Sequence, residues 1–328
     1  MKEWRFFAAE QRATLLALVL FLVMFIIYVS NHPAGFTPNV VQTASNKGVI
    51  LAFVAMAQTL VVLTAGIDLS VGMIFILCNC VGSYVLGGTM ASALGGAGLV
   101  LLTGLGCGMV NGLIVIFGRL QPIVTTIATG AIFFGLALWL RPFPGTVPDF
   151  NGDLADLFTG KLFGVVPASL VFLLAVVLVV WVPLSRSVIG RAIYAVGSSD
   201  MAAYMSGMPV KLARFTAFAV GGLLAGFGGL FLTFFTYSGE ASLANGDNYT
   251  LFSIAAVVLG GVSLYGGRGS AIGAIFGALA FRTIGDLLFV FDFDPLWQPL
   301  FQGLVLALAV TFGAARLFRI RNRLEMFS

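Results

Sequence analysis

Apolar blocks of about 20 residues recur along the whole of this chain, and nothing else in the sequence limits its fold so tightly. A helix rises about 1.5 Å per residue, so about 20 residues cross the roughly 30 Å of hydrocarbon in a bilayer. The blocks run approximately over residues 13–30, 48–65, 71–88, 93–117, 121–140, 165–184, 213–236, 250–265, 270–290 and 296–315. They predict an all-α integral membrane protein of about ten transmembrane helices, with residues 1–328 as a single transmembrane domain. Only 9% of the residues are charged, against about 25% in a soluble domain. The eighth and ninth blocks are divided only by the turn GGRG at 266–269.

An even number of crossings puts both termini on one side of the membrane, and the basic residues say which. With the termini in the cytoplasm, thirteen of the seventeen Lys and Arg residues face inward: Lys2, Arg5, Arg12, Arg119, Arg186, Arg191, Lys211, Arg214, Arg268, Arg316, Arg319, Arg321 and Arg323. The outer face keeps Lys47, Arg141 and Lys161, while Arg282 falls within a span. That asymmetry follows the positive-inside rule. Residues 1–12 are basic, but the block after them has full span length and no small-residue cleavage site, so it reads as an uncleaved first helix. Two connections are longer than a turn. Residues 141–164, rich in Pro, Gly and Asp, form an ordered or mobile periplasmic cap. Residues 185–212 form a cytoplasmic loop containing a short helix: Ser198 or Ser199 caps it, Asp200 suits its positive first turn, and Gly207 followed by Pro209 ends it. A short helix outside the bilayer, flanked by basic residues, is placed to meet a cytoplasmic partner.

Catalysis is excluded by what the spans lack. The single histidine, His32, lies in the first outer connection (NHP), where it reads as a headgroup-level residue and cannot serve an intramembrane Ser/His dyad. Cys78, Cys80 and Cys107 fall inside apolar blocks without metal-ligand spacing and read as small packing residues. No phosphate-binding loop is present: the Gly160–Lys161 dipeptide has Ala155 where the first glycine belongs and Leu162 where Ser or Thr belongs. No catalytic residue, metal or cofactor is expected on this chain. If ATP drives it, a partner subunit binds the nucleotide. The formal net charge of +4 does not point to nucleic acid as a partner, since in a membrane protein the position of the basic residues carries the information.

Ionisable residues inside the membrane are the default functional suspects. Arg282 and Asp286 stand four apart and share one helix face, so they read as a self-compensated pair, with an ion relay as the alternative. Asp68, in GIDLSVG, either caps the helix that begins at Leu69 or Ser70 or takes part in gating. Small residues recur four apart at Gly104/Gly108/Gly112, Gly222/Gly226 and Gly269/Gly273/Gly277, which predicts close helix packing.

Four stretches, GIDLSVG (66–72), PIVTTIATG (122–130), GRAIYAVGSSDMAAYMSGM (190–208) and AAVVLGGVSLYGGRGSAIGAIFGAL (255–279), in this order and with ten spans, resemble the permease subunits of bacterial ABC importers for ribose, galactose, xylose, arabinose and autoinducer 2. The resemblance covers nearly the whole chain. It implies the transmembrane architecture of the vitamin B12 type of importer (type II) in the bacterial inner membrane. It also implies a core of two permeases, either two copies or this chain with a related one, two cytoplasmic ATPase subunits, and a periplasmic sugar-binding protein delivering a small-molecule solute. In such permeases the segment resembling 197–207 couples to the ATPase, here carried by Gly197, Ser198, Ser199, Asp200, Ala202, Ala203, Ser206 and Gly207. Residues resembling Gly66, Asp68, Ser70, Pro122, Thr125 and Thr126 lie near the translocation pathway. Tyr265 stands where a small residue is more usual, and the Arg282/Asp286 pair replaces what is often uncharged polar sequence. The rival reading is an ion-coupled secondary transporter of a small neutral solute, which would work without an ATPase. A passive channel or a purely structural subunit is a third.

Overall fold

The structure, a computed structural model, describes residues 12–308 and Thr311. Lys2, Arg5, Arg316, Arg319, Arg321 and Arg323, on which part of the expected orientation rests, lie outside the described residues, as does most of 309–315 at the end of the tenth block. The described order begins with α1 (Arg12–Asn31), α2 (Pro38–Leu63), α3 (Val71–Val85), α4 (Met90–Phe117) and α5 (Pro122–Leu140). A connection follows that carries β1 (Gly145–Thr146), α6 (Gly152–Thr159), β2 (Lys161–Leu162) and β3 (Val166–Pro167). Then come α7 (Ala168–Arg186), with a π-helical stretch over Val177–Trp181, α8 (Val188–Ser198), α9 (Asp200–Met205) and α10 (Val210–Thr236). Strand β4 (Ser238–Gly239), α11 (Leu243–Leu259), α12 (Ala271–Val290), a 3-10 turn at Pro295–Trp297 and α13 (Gln298–Leu308) complete the described order.

Seven of these helices, α1, α2, α4, α5, α7, α10 and α12, are long and apolar enough to cross a membrane. The other three expected positions hold the shorter helices α3, α11 and α13. The chain is therefore a multi-span, all-α membrane protein. Two boundaries depart from the hydropathy. Helix α2 starts ten residues before its apolar block because Thr37 caps it, its Oγ1 accepting from the Val40 amide at 3.4 Å, with Pro38 at the first helical position. Helix α11 starts at Leu243 instead of 250 because Ser242 accepts from the Asn245 amide at 3.3 Å, and it stops at Leu259, where Gly261 turns the chain at φ 78°.

Helix α2 runs through the middle of the bundle, packed by α7, α10, α11 and α12, and its residues from Val49 to Ala57 are almost wholly buried. Glycine governs the closest crossings. A β-carbon on Gly104 of α4 would lie 2.5 Å from the Gly222 carbonyl oxygen and 2.9 Å from the Gly226 Cα of α10, and one on Gly108 would lie 3.0 Å from the Gly222 Cα. The predicted glycine spacings of α4 and α10 thus face each other across one crossing. Between α11 and α12 the facing residues are Gly260 with Gly273 and Gly277. Gly269, expected to open α12, instead sits in the turn before it at φ 121°, because Ser270 is the cap. Helix α1 is peripheral, packing on α12 and leaving Leu16, Val19, Val23 and Ile26 exposed, a surface suited to lipid. The three cysteines are free and buried. His32 is turned inward on its own loop, where Nδ1 accepts from the Ala34 amide at 3.1 Å.

The connection 141–164 is ordered at one end of the bundle. Strands β1 and β4 pair antiparallel, Gly145 opposite Gly239, and β2 pairs with β3. Asn151 caps α6 through the Leu154 amide at 2.9 Å, and the Gln42 and Asn46 amides of α2 both donate to the Thr159 carbonyl at 2.8 Å. Arg141 donates to the Ser83 hydroxyl (2.7 Å) and carbonyl (2.9 Å), and its guanidinium lies 3.9 Å above the Tyr84 ring.

Candidate functional site

The segment 197–207 folds as its sequence dictates. Ser199 is the cap of α9, its hydroxyl accepting from the Ala202 amide at 3.3 Å, and Asp200 occupies the first turn, where a carboxylate favours the positive helix end. The same carboxylate pairs with Arg214 of α10 at 3.0 Å. At the other end Gly207 takes φ 72°, its amide bonds the Tyr204 carbonyl, and the Met208 amide reaches back to Ala203. Ser206 closes the last turn by donating its amide to Ala202 at 3.0 Å. Ala203 is buried against the bundle, so the opposite face is left outward: Met201, Tyr204 and Met205 are 71%, 69% and 77% exposed.

This helix is tied to the core through backbone. Just before it, Gly197 closes α8 so tightly that a β-carbon there would overlap the Leu63 carbonyl oxygen at the end of α2. The same carbonyl accepts the Gly267 amide at 3.0 Å, and a β-carbon on Gly266, at φ 84°, would lie 2.7 Å from the Ala65 nitrogen. Ser198 sits against Gly267 and donates to Tyr194 at 3.0 Å. Three chain segments, 63–65, 197–198 and 266–267, therefore meet largely backbone to backbone, with only the Ala65 methyl and the Ser198 hydroxyl as side-chain atoms against the glycines.

The proposed pathway residues lie immediately beyond this junction. Gly66 packs on Pro122, which opens α5. Asp68 bonds the start of α3: its Oδ1 accepts both the amide (2.8 Å) and the hydroxyl (2.6 Å) of Ser70, the residue that precedes the helix, and its carboxylate also takes the Val71 amide. Ser70 in turn accepts from Asn111 of α4 at 2.8 Å, and Thr126 accepts the Leu69 amide at 2.9 Å. Burial pushes the Asp68 carboxyl above its ordinary range, and the hydrogen bonds from Ser70 pull the other way. Thr125 is buried and its hydroxyl lacks a hydrogen-bond partner among the described residues. Expected coupling and pathway residues are thus brought together at one end of the bundle. Asn111, Leu63 and Gly267, which the sequence reading did not single out, complete the arrangement.

The pairing of Arg282 with Asp286 does not form. Asp286 is held instead by Lys47 of α2, Nζ to Oδ1 3.1 Å, because α2 begins early enough to carry Lys47 into the helical bundle. The Arg282 Nε is buried without a hydrogen-bond partner among the described residues. This group lies at the end opposite α9: Lys47 and Leu63 are sixteen residues apart on α2, about 24 Å along its axis. Among the described residues no cluster of three metal-ligating side chains occurs.

A family model described as branched-chain amino acid transport system / permease component matches residues 40–310. The chain is 36% identical over 81% of its length to a probable ABC transporter permease protein of Sinorhizobium fredii, covering 78% of that protein. It is 32% identical to the ribose import permease protein of Haemophilus influenzae over 93% of both chains. It is 31% identical to the D-allose transport system permease protein of Escherichia coli over 84% of this chain and 82% of that one. No solved structure matches it.

Proposed function

Because the chain belongs to the family of branched-chain amino acid transport system permease components, we propose that it is the membrane-spanning subunit of an ATP-driven importer for a monosaccharide-like solute. Two relatives are named for ribose and D-allose, both neutral monosaccharides. In this reading the chain lies in the bacterial inner membrane with α9 and both termini in the cytoplasm. It pairs with a second permease, docks ATPase subunits through α9, and receives solute from a periplasmic binding protein. ATP is bound and hydrolysed on the ATPase subunits; this chain transports.

The observation that carries the reading is α9 itself, a capped helix with Met201, Tyr204 and Met205 outward and a close-packed, glycine-lined junction behind it. Closure of the ATPase subunits would displace α9. Close-packed backbone transmits a displacement where flexible side chains would absorb it. The junction of Gly197 and Gly267 on Leu63 would pass the movement to the 64–70 connection, and from there to Asn111 on α4 and Thr126 on α5. Gly66, Asp68, Ser70, Pro122, Thr125 and Thr126 then act as the moving parts of an alternating pathway. The ion-coupled alternative gains nothing from Asp286, whose carboxylate is already held by Lys47.

The test is ATP-driven uptake by the assembled complex in proteoliposomes, with Met201→Asp/Met205→Asp beside the native chain. Losing interface anchors worth about 1.4 kcal/mol or more lowers uptake by about tenfold or more while leaving membrane insertion intact. Undiminished uptake in the variant, or uptake by the permease without any ATPase, contradicts the proposal.

A further inference from the structure

At the end of the bundle opposite α9, a cavity of about 860 Å³ opens between α1, α2, α12 and the segment leading into α13. Small-molecule sites commonly span roughly 300–1,000 Å³. Its wall carries Lys47 and Arg282 against Asp286, Asp292 and Asp294, with His32 beside them and the Phe289 ring, 69% exposed, along one side. Lys47 uses one of its three donors on Asp286, and the Arg282 Nε has no acceptor among the described residues. Two obligate cations against three carboxylates leave the wall one negative charge in excess, counting His32 as neutral. That balance opposes an anion, and a cation would leave Arg282 unanswered. A neutral polyhydroxylated molecule answers both, since each hydroxyl donates to a carboxylate and accepts from a guanidinium or ammonium group. Its C–H face can lie on Phe289.

We infer that this cavity is a binding site for a neutral monosaccharide, held by Arg282 and Lys47 as donors and by Asp292 and Asp294 as acceptors. The inference rests on the function proposed above for its class of solute, and it places a direct contact with that solute about 24 Å along α2 from the coupling junction.

The test uses the full chain in lipid nanodiscs and saturation-transfer difference NMR. The probes are D-ribose, D-allose and D-galactose, with D-ribose 5-phosphate as the anionic and D-glucosamine as the cationic comparison. The variants are Arg282→Gln, which keeps length and polarity, and Asp292→Gly, which removes the carboxylate where the backbone is left-handed at φ 56° and glycine is at ease. At least one neutral sugar gives a signal, and each variant weakens it about fivefold, the effect of one lost hydrogen bond, with thermal unfolding of Asp292→Gly unchanged. No signal from any neutral sugar, a stronger signal from the phosphate or the amine, or signals indifferent to both substitutions overturns the inference. ATP-driven uptake by the complex separates the two readings. Uptake with no binding here sinks the cavity alone, whereas binding here with uptake indifferent to ATP sinks the importer reading alone.

Discussion

The Leu63 carbonyl, freed at the last turn of α2, accepts the amide of Gly267 at 3.0 Å, and Gly197 lies flat against the same oxygen. The last carbonyls of any helix need partners from outside it. Here the partner comes from the turn between α11 and α12, and the closeness that permits it depends on residues without a β-carbon.

Gly197→Ala is expected to cost about 1–3 kcal/mol or more, the range for overpacking a close-packed site, because the atom it would strike is backbone. Ser198→Ala, next to it, loses one hydrogen bond to Tyr194 and is expected to cost about 1 kcal/mol. Thermal unfolding of the two variants measures the difference, and equal stabilities would contradict the packing described.

The crossing of α4 and α10 gives a second contrast. Gly222→Ala would put a methyl group 2.7 Å from the Gly108 nitrogen and is expected to destabilise by about 1–3 kcal/mol. Gly106, on the same helix as Gly108, has nothing within 4 Å of a built β-carbon, so Gly106→Ala is neutral or stabilising by up to about 1 kcal/mol. Denaturant midpoints in detergent check the order.

Local order in α9 is separable from global stability. Ser199→Ala removes the cap for about 1 kcal/mol, and Gly207→Ala strains a backbone at φ 72° by a similar ~1 kcal/mol. Both are expected to loosen α9 and raise the ATP hydrolysed per solute imported, with the melting temperature of the bundle little moved. A lowered melting temperature with normal coupling would reverse that assignment.

Lys47→Met leaves the Asp286 carboxylate, 11% exposed, without its cation. Breaking one partner of a buried pair costs several kcal/mol, and partial exposure of Lys47 at 31% reduces that here to about 1–3 kcal/mol. Lys47→Met with Asp286→Leu recovers most of the loss, because the stranded charge is gone. A double-mutant cycle on unfolding reads the coupling, and additive losses would mean that the pair is not formed.

Much of the bundle was legible because the hydrophobic requirement of a span is written residue by residue. The α9 signals, Ser199, Asp200 and Gly207, were readable for the same reason: caps act over three or four residues. The outward face of Met201, Tyr204 and Met205 was not singled out, because apolar residues at helical spacing read as a buried face as easily as an exposed one. The starts of α2 and α11 were missed because Thr37 and Ser242 draw polar residues into helix against the hydropathy. The Arg282/Asp286 pairing was wrong for a different reason. Spacing within one helix says which groups can meet, whereas Lys47, 239 residues away, won the carboxylate through tertiary packing. Nothing local marks such a partner, and the same holds for Asn111 on Ser70 and Gly267 on Leu63.

The account depends most on α9 facing the cytoplasm and bearing on an ATPase subunit. Cys78, Cys80 and Cys107 are buried, so Met201→Cys supplies a single accessible thiol among the described residues. Its labelling by a membrane-impermeant maleimide decides the matter. The account predicts labelling in inside-out vesicles, none in right-side-out vesicles, and protection when the ATPase subunit is bound. Labelling from the outside, or labelling that the bound ATPase leaves unchanged, would contradict it.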